Sequence, residues 1–129
     1  MDSFQKTRYK KCIKKGWKDV EGIKKLNNSK VAIFGIGGVG SYAVEGLVRA
    51  GIQNFILVDD DKISITNLNR QIHATRNTIG KYKVDVMEKR ILEINPDAKV
   101  KTYKEFYMPE SQTKIIDKDI HLIGQKDFV

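Results

Sequence analysis

The sequence predicts an α/β fold in which helices flank a mainly parallel β-sheet. Two short apolar runs, residues 31–34 and 55–58, are typical of buried parallel strands. Between them a glycine-rich turn leads into a helical pattern, so residues 31–59 form a predicted β-α-β unit. A chain of 129 residues with 40% hydrophobic residues fits one folded domain.

Two helices are predicted on either side of the first strand. Residues 17–26 carry an apolar residue at every third position, which suits a short amphipathic helix. The helix after the glycines covers residues 41–50, with one apolar face and an i,i+4 pair, Glu45 and Arg49, on the other. Gly51 is well placed to end it, because glycine accepts the left-handed backbone of a C-cap.

The second half of the chain has one more predicted helix and two weaker strands. Residues 81–95 have the spacing of an amphipathic helix, which Pro96 stops. Residues 99–103 alternate polar and apolar side chains, as a less buried strand does, and residues 120–123 are the candidate fourth strand. A long polar loop, residues 62–80, precedes the helix, and such loops in small domains are commonly functional.

The positive charge of the chain is concentrated at its N-terminus. The net charge is +8, and residues 1–30 hold ten of the basic residues against three acidic ones. A basic arm of this kind is suited to the phosphates of a nucleic acid. It is also typical of a solvated lysine-rich helix or a frayed tail. The composition leaves both interpretations open.

The sequence excludes several classes of protein. The longest apolar stretch, residues 31–40, is too short and too rich in glycine to span a bilayer. The basic N-terminus has no apolar segment behind it that would make a secretory signal. The single cysteine, Cys12, cannot form an internal disulfide. We therefore expect a cytoplasmic protein without a membrane partner.

Gly35, Gly37 and Gly40 form a Gly-x-Gly-x-x-Gly motif between a predicted strand and a predicted helix. The first glycine permits a tight turn, the second lets a phosphate approach, and the third packs the helix against the strand. Free N–H groups at the helix start attract an anion. Asp59, 19 residues after Gly40, is placed to bind ribose hydroxyls. The motif predicts a nucleotide site in a Rossmann-like fold, without specifying which nucleotide.

Two features disfavour a simple NAD-dependent dehydrogenase. Gly38 adds a further glycine to the motif, and the polar loop carries Arg70, whose planar donor group suits phosphate oxygens. Lys83 is predicted in the first turn of a helix, where a cation opposes the helix dipole unless a ligand supplies negative charge. From the residues alone, Arg70 and Lys83 also fit ordinary surface charges.

Five short segments share a specific combined spacing. They are residues 31–41 (VAIFGIGGVGS), 57–61 (LVDDD), 66–74 (TNLNRQIHA), 80–83 (GKYK) and 94–96 (INP). Together they resemble the ThiF/MoeB/HesA family of ubiquitin-activating-like adenylating enzymes. The resemblance runs from about residue 21 to about residue 118. GSYAVEGL at residues 40–47, together with NRQIHA, is most similar to the family's tRNA threonylcarbamoyladenosine dehydratase branch (TcdA, or CsdL).

The resemblance implies an ATP site and the transfer of AMP to a carboxylate. The residues on the family's nucleotide-contacting positions are Gly35, Gly37, Gly38, Gly40, Asp59, Asp61, Asn67, Arg70, Gln71 and Lys83. Arg70 and Lys83 are the candidate catalytic residues, because they would stabilise charge on the triphosphate while pyrophosphate leaves. In the tRNA branch the attacking carboxylate belongs to the threonylcarbamoyl group on adenosine, which then cyclises with loss of AMP.

The chain also departs from the family pattern. The resemblance implies magnesium, but the Asp-x-x-Asp motif that supplies its ligands in family members is not found after residue 120, so no metal ligand is predicted here. We expect a basic arm and helix at residues 1–28 and a ThiF-type, NAD/FAD-binding-like domain at residues 29–129, incomplete at its C-terminus. Arg8 is a loose match to the family's N-terminal arginine, and His73 is expected to structure its loop.

Three functions remain open at this point. The first is ATP-dependent adenylation of tRNA threonylcarbamoyladenosine, with tRNA as partner and ATP and magnesium as cofactors. The second is an adenylyltransferase with the same ATP site that activates a ubiquitin-like sulfur-carrier protein. The third is a truncated remnant that binds nucleotide without catalysis. A homodimer is a further expected assembly.

Overall fold

The computed structural model describes residues 7–8, 10, 20–106 and 120–124, and these have the predicted α/β architecture. The strands are β1 (Lys30–Phe34), β2 (Asn54–Val58), β3 (Lys99–Tyr103) and β4 (Ile120–Gly124). The helices are α1 (Val20–Asn28), α2 (Gly38–Ala50), α3 (Lys83–Ile94) and a short 3-10 helix (Ile65–Asn67). The strand predictions are confirmed, and the fourth strand extends one residue beyond its predicted end.

The four strands form one parallel sheet in the order β3-β2-β1-β4. Lys30 at the start of β1 lies opposite Asn54 of β2 on one side and Ile120 of β4 on the other. The direction of chain progression across the sheet therefore reverses at β1. Open parallel sheets leave a ligand crevice at such a reversal, beyond the carboxyl ends of the strands.

The main core lies between the sheet and helices α2 and α3. Both helices bury the apolar faces that their spacing predicts, and the buried side chains include Val31, Ile33, Val44, Val48, Leu57, Val84, Met87 and Ile91. Ala32, Phe34 and Val58 form a smaller cluster of buried residues. β3 is partly exposed, as its alternating sequence indicates. Removal of apolar surface from water is the main force that holds such layers together.

Glu45 joins the two core helices. Its carboxylate accepts hydrogen bonds from Arg49 on α2 at 2.8 Å and from Arg90 on α3 at 2.5 and 3.2 Å. The predicted pair with Arg49 is thus confirmed, and Arg90 was not anticipated. Burial by itself raises the pKa of Glu45, but the hydrogen bonds from the two arginines outweigh it and hold the pKa below the ordinary value of 4.5.

Two helix starts differ from the predictions. α2 begins at Gly38 instead of residue 41, so the glycine motif itself supplies the first turn. α3 begins at Lys83 instead of residue 81. The reason is that Lys81 and Tyr82 belong to the loop: the Lys81 carbonyl accepts the Ile63 N–H at 2.8 Å, and Tyr82 forms a β-bridge with Lys62.

Two helix ends are explained by local capping. α1 runs to Asn28, two residues beyond its predicted end, and the Ser29 hydroxyl then donates to the Lys25 carbonyl at 2.8 Å. Its predicted first residues, 17–19, lie outside the described part of the chain. α2 ends at Gly51 as predicted, with φ of 125° and an N–H bonded to the Leu47 carbonyl. Among the described residues, no helix has the length and apolar character needed to cross a bilayer.

Candidate nucleotide-binding site

The turn after β1 needs glycine at two positions. Gly35 has φ of 94°, a backbone conformation that other residues rarely adopt. A methyl group built on Gly40 would lie 2.0 Å from the Gly35 carbonyl oxygen, so only glycine lets α2 pack this closely on the turn. A methyl group on Gly38 would have no neighbour within 4 Å and would face open space. The predicted roles of the first and third glycines in the motif are confirmed.

The N-terminus of α2 has unused hydrogen-bond donors. Gly37 is the N-cap, no side chain caps the helix, and its first turn has no acidic residue. The first bond within the helix is donated by the Ser41 N–H to the Gly37 carbonyl at 3.0 Å. The preceding N–H groups have no partner within the helix, and together with the helix dipole they form a site suited to an anion.

Asp59 is fixed at the carboxyl end of β2 by two backbone groups. One carboxylate oxygen accepts the Ile36 N–H of the glycine turn at 2.6 Å, and the other accepts the Asp61 N–H at 2.8 Å. Each carboxylate oxygen can accept a second hydrogen bond. Asp59 therefore ties the glycine turn to β2 and retains the capacity to accept from ribose hydroxyls.

The polar loop between β2 and α3 is closed by its own hydrogen bonds. The buried Ile63 exchanges backbone bonds with Lys81 and Gly80, both at 2.8 Å. The Asn67 amide oxygen accepts the Ser64 N–H at 2.9 Å, as part of a capping box on the 3-10 helix. The amide oxygen of Asn67 thus serves the loop itself.

Arg70 is exposed on this loop. Its guanidinium donates to the Thr66 carbonyl at 3.0 Å and to the Asn69 side chain at 3.1 Å. Among the described residues its side-chain hydrogen bonds therefore remain within its own loop. An exposed arginine can change rotamer toward an incoming phosphate, and its planar donor group suits that acceptor.

The end of the loop packs against the glycine turn. The His73 Nε2 donates to the Ile36 carbonyl at 2.8 Å, and the Ile72 N–H donates to the Ser41 hydroxyl at 3.3 Å. The Gln71 side chain is buried, and its Nε2 lies 3.8 Å from a methyl group built on Gly37. Its Oε1 has no hydrogen-bond partner among the described residues. The amide Nε2 of Gln71, which is the donor that suits a phosphate oxygen, therefore lies on the Gly37 side of this loop.

His73 is held in its neutral form by its surroundings. Burial lowers its pKa below the ordinary value of 6.5, and the charge of Lys83 acts in the same direction. The hydrogen bond to Ile36 and the charge of Asp59 act in the opposite direction but are outweighed. The expectation that His73 structures its loop is confirmed by the Ile36 contact.

Lys83 is buried where α3 meets the end of β2. Its side chain is 8% exposed, and its Nζ lies 3.9 Å from the nearer carboxylate oxygen of Asp61, which is longer than a hydrogen bond. The Lys83 N–H donates to the Asp61 carbonyl at 3.1 Å and holds the first turn of α3 in place. The alternative that Lys83 is an ordinary surface charge is therefore wrong, whereas Arg70 does lie at the surface.

Three acidic residues after β2 are the one carboxylate cluster among the described residues that could hold a metal ion. Asp59, Asp60 and Asp61 have carboxylate oxygens within 4.8 Å of one another. Both oxygens of Asp59 already accept backbone N–H groups, and the Lys83 ammonium competes for Asp61. We therefore assign no chemical step to a metal at this cluster.

Only some of the predicted site residues are joined by direct contacts. A hydrogen bond links Asp59 to the glycine turn and an ion pair links Lys83 to Asp61, whereas the Arg70 side chain contacts its own loop. Sequence reasoning missed three hydrogen bonds. Two join the backbone of Ile36 to the side chains of Asp59 and His73, and the third joins the Ile72 N–H to the Ser41 hydroxyl. All of these residues lie within the quoted motifs, but no sequence signal pairs residues that are 23 to 37 positions apart.

Arg8 lies away from this site. Its guanidinium donates to the carbonyl of Val48, in the last turn of α2, whereas the glycine turn is at the first. Arg8, the loose match to the family's N-terminal arginine, therefore does not reach the anion site at the start of α2. Cys12 lies outside the described residues.

Comparisons with known proteins agree with this geometry. The sequence pattern of the ThiF family matches residues 9–129. The tRNA threonylcarbamoyladenosine dehydratase of Bacillus subtilis (strain 168) is 48% identical over 110 residues, which are 84% of this chain and 43% of that protein. A probable molybdopterin-synthase adenylyltransferase of Porphyra purpurea is 37% identical over 123 residues, which are 95% of this chain and 32% of that protein.

A solved structure is similar over nearly the whole chain. The crystal structure of the E. coli tRNA N6-threonylcarbamoyladenosine dehydratase TcdA in complex with ATP matches with a TM-score of 0.85 and 31% identity. The match covers 96% of this chain and 51% of that one. The chain thus spans less than half the length of the two curated relatives and about half of the solved structure.

Proposed function

Because this chain belongs to the ThiF family, we propose that it binds ATP beyond the carboxyl ends of β1 and β2 and supports adenylation of a carboxylate. The observation that carries the proposal is Lys83, a buried cation at the start of α3 whose nearest carboxylate among the described residues, that of Asp61 just after β2, lies at 3.9 Å. An ammonium so incompletely neutralised is stabilised by an anion, and a nucleotide phosphate fits the N–H donors at the uncapped start of α2.

The proposed chemistry uses these groups for positioning and charge stabilisation. A carboxylate oxygen attacks the α-phosphorus of ATP, the bond to the β-phosphate breaks, and pyrophosphate leaves. Lys83 and the N–H groups of the glycine turn hold the phosphates, Asp59 binds the ribose, and Arg70 approaches from the loop to stabilise the departing charge. Preorganised donors of this kind supply a large share of the rate in such transfers.

For the carboxylate we propose the threonylcarbamoyl group on a tRNA adenosine, which would cyclise as AMP leaves. The support is the 48% identity to a relative named for this substrate and the likeness to its solved counterpart with ATP. We propose that magnesium arrives with ATP, neutralising charge on its phosphates. A cytoplasmic location fits a tRNA substrate.

A second candidate is the activation of a ubiquitin-like sulfur-carrier protein. It is favoured by the 37% identity to the probable molybdopterin-synthase adenylyltransferase, which covers 95% of this chain. The two candidates share the ATP site and differ in the carboxylate. Pyrophosphate-exchange assays on a full-length protein that carries this segment separate them: dependence on tRNA supports the first candidate, and dependence on a carrier protein supports the second.

The choice of nucleotide is the direct test of the site. We expect ATP to bind at least about tenfold more tightly than NAD, because Lys83 and Arg70 match a triphosphate better than a dinucleotide pyrophosphate. Calorimetric titration of the purified chain with each nucleotide measures the ratio. Tighter binding of NAD would contradict the adenylation proposal and would favour an NAD-dependent dehydrogenase instead.

Lys83→Met tests the observation on which the proposal rests. Methionine retains most of the buried volume and removes the charge, so we expect the fold to persist and ATP affinity to fall about ten- to a hundredfold. Lys89→Met is the matched control, because Lys89 is an exposed residue of the same helix. If both variants are folded by circular dichroism and bind ATP with equal affinity, Lys83 does not contribute to ATP binding.

A further inference from the structure

One residue of the glycine turn, Ile36, is held by side chains at both of its backbone polar groups. Its N–H donates to Asp59 at 2.6 Å, and its carbonyl accepts from His73 Nε2 at 2.8 Å. The two side chains come from different segments, the end of β2 and the polar loop. Ile36 itself is completely buried, so its own side chain does not face a ligand.

The contact with Ile36 defines the tautomer of His73. A carbonyl oxygen only accepts, so Nε2 must carry the proton, and Nδ1 is then an acceptor. His73 is 2% exposed, and its buried Nδ1 has no hydrogen-bond partner among the residues that the structure describes. A buried, neutral imidazole with a single bond to the backbone is suited to holding that backbone in one orientation.

The orientation of Ile36 determines that of the next N–H group. In a trans peptide the carbonyl of one residue and the N–H of the next point to opposite sides. With the Ile36 carbonyl bound to His73, the Gly37 N–H points away from the imidazole. That N–H donates no hydrogen bond within the described part of the chain, and Gly37 is the N-cap of α2, where unused donors face an anion.

We propose that His73 is a positioning residue for the ATP site, which orients the Gly37 N–H toward a phosphate by holding the Ile36 carbonyl. The inference rests on the proposed function and deepens it. Glycine at position 37 makes the arrangement necessary, because the peptide between residues 36 and 37 turns easily when nothing holds it. Asp59 fixes the preceding peptide in the same way, so the two side chains together rigidify the turn.

Replacement of His73 distinguishes positioning from general support of the fold. His73→Leu removes the donor, and His73→Gln retains an amide N–H at about the position of Nε2. With the 15N-labelled full chain titrated by NMR, we expect His73→Leu to weaken ATP binding about ten- to a hundredfold. Adenosine, which has no phosphate, should bind within about twofold of the wild-type affinity, and His73→Gln should recover most of the ATP affinity.

The Gly37 amide resonance provides a readout that does not depend on any variant folding. It should shift when the wild-type chain binds ATP and stay nearly unchanged with adenosine. If ATP binds while this resonance does not move, or if His73→Leu weakens ATP and adenosine equally, the inference is overturned and the proposed function stands. If the wild-type chain binds no ATP, the proposed function fails and the inference fails with it.

Discussion

Arg70 and Lys83, two basic side chains with the same predicted task, have opposite environments. Lys83 is buried and held beside the end of β2, whereas Arg70 is exposed and, within the described part of the chain, its side chain bonds to residues of its own loop. A buried ammonium is already in place before a ligand arrives. An exposed arginine loses rotamer freedom when it binds, so part of its interaction energy offsets that ordering.

Arg70→Ala measures whether the exposed arginine reaches the triphosphate. A charged hydrogen bond contributes about 1.5–3 kcal/mol, so we expect ATP affinity to fall about ten- to a hundredfold, without loss of stability. Arg76→Ala is the matched control, because Arg76 is an exposed arginine of the same loop. An ATP affinity unchanged from wild type in Arg70→Ala would mean that Arg70 is a surface charge after all.

At the level of elements, the contact between α2 and α3 depends on more than apolar burial. Glu45 accepts hydrogen bonds from both helices, and its side chain is only 10% exposed. Because α2 begins in the glycine motif and α3 begins with Lys83, this contact fixes the relative positions of two parts of the site. Loss of the contact should therefore affect stability first and ligand binding second.

Glu45→Gln is expected to lower the free energy of unfolding by about 1.5–3 kcal/mol at pH 7, because charged hydrogen bonds to two arginines are lost. Since the pKa of Glu45 in the folded chain lies below 4.5, its contribution is fully present above pH 4.5 and disappears as the pH falls through the folded value. Urea unfolding at pH 7 and pH 3 should therefore show a difference between variant and wild type that shrinks in acid.

Glu105→Gln is the control for that experiment. Glu105 is exposed, so its replacement removes the same charge without a buried partner. We expect it to change stability by less than about 0.5 kcal/mol. A Glu45→Gln effect no larger than that of Glu105→Gln, or one that grows in acid, would show that the ion pair does not stabilise the helix contact.

For the whole molecule, the described sheet has two outer strands, β3 and β4, each paired on one side only. The relatives are more than twice as long as the segment they share with this chain. Outer strands offer unpaired N–H and carbonyl groups, which promote association with further strands. The strand arrangement is compatible with a homodimer or with a larger association through the sheet edges.

We expect the 129-residue chain to bind ATP weakly, to self-associate, and to show no tRNA-dependent pyrophosphate exchange. The reason is that AMP transfer needs the ATP, the metal ion and the attacking carboxylate to be held together. Misplacement of one of them lowers the rate by orders of magnitude. Analytical ultracentrifugation measures association, and exchange assays with purified tRNA measure turnover. Exchange catalysed by a monomer free of longer homologues would refute the expectation and place the whole catalytic apparatus before residue 130.

The local pattern of the sequence determined the elements and the conformation of the glycine turn. Apolar spacing located all four strands and the faces of both core helices, because burial selects the same residues that periodicity reveals. Gly35 and Gly40 marked the turn after β1, since only glycine satisfies the φ of 94° at one and the 2.0 Å approach at the other. These constraints act within a few residues and are therefore visible in one sequence.

The tertiary structure decided the contacts between residues that lie far apart in the sequence. Residues from separate elements meet in the bonds of Asp59 and His73 to Ile36 and in the bond from Arg90 to Glu45. The burial of Lys83 likewise depends on the packing of α3 near the end of β2. The start of α3 was also decided there, because Lys81 and Tyr82 bond back across the loop. Composition and spacing describe each element alone, whereas these contacts depend on how the sheet brings the ends of its strands together.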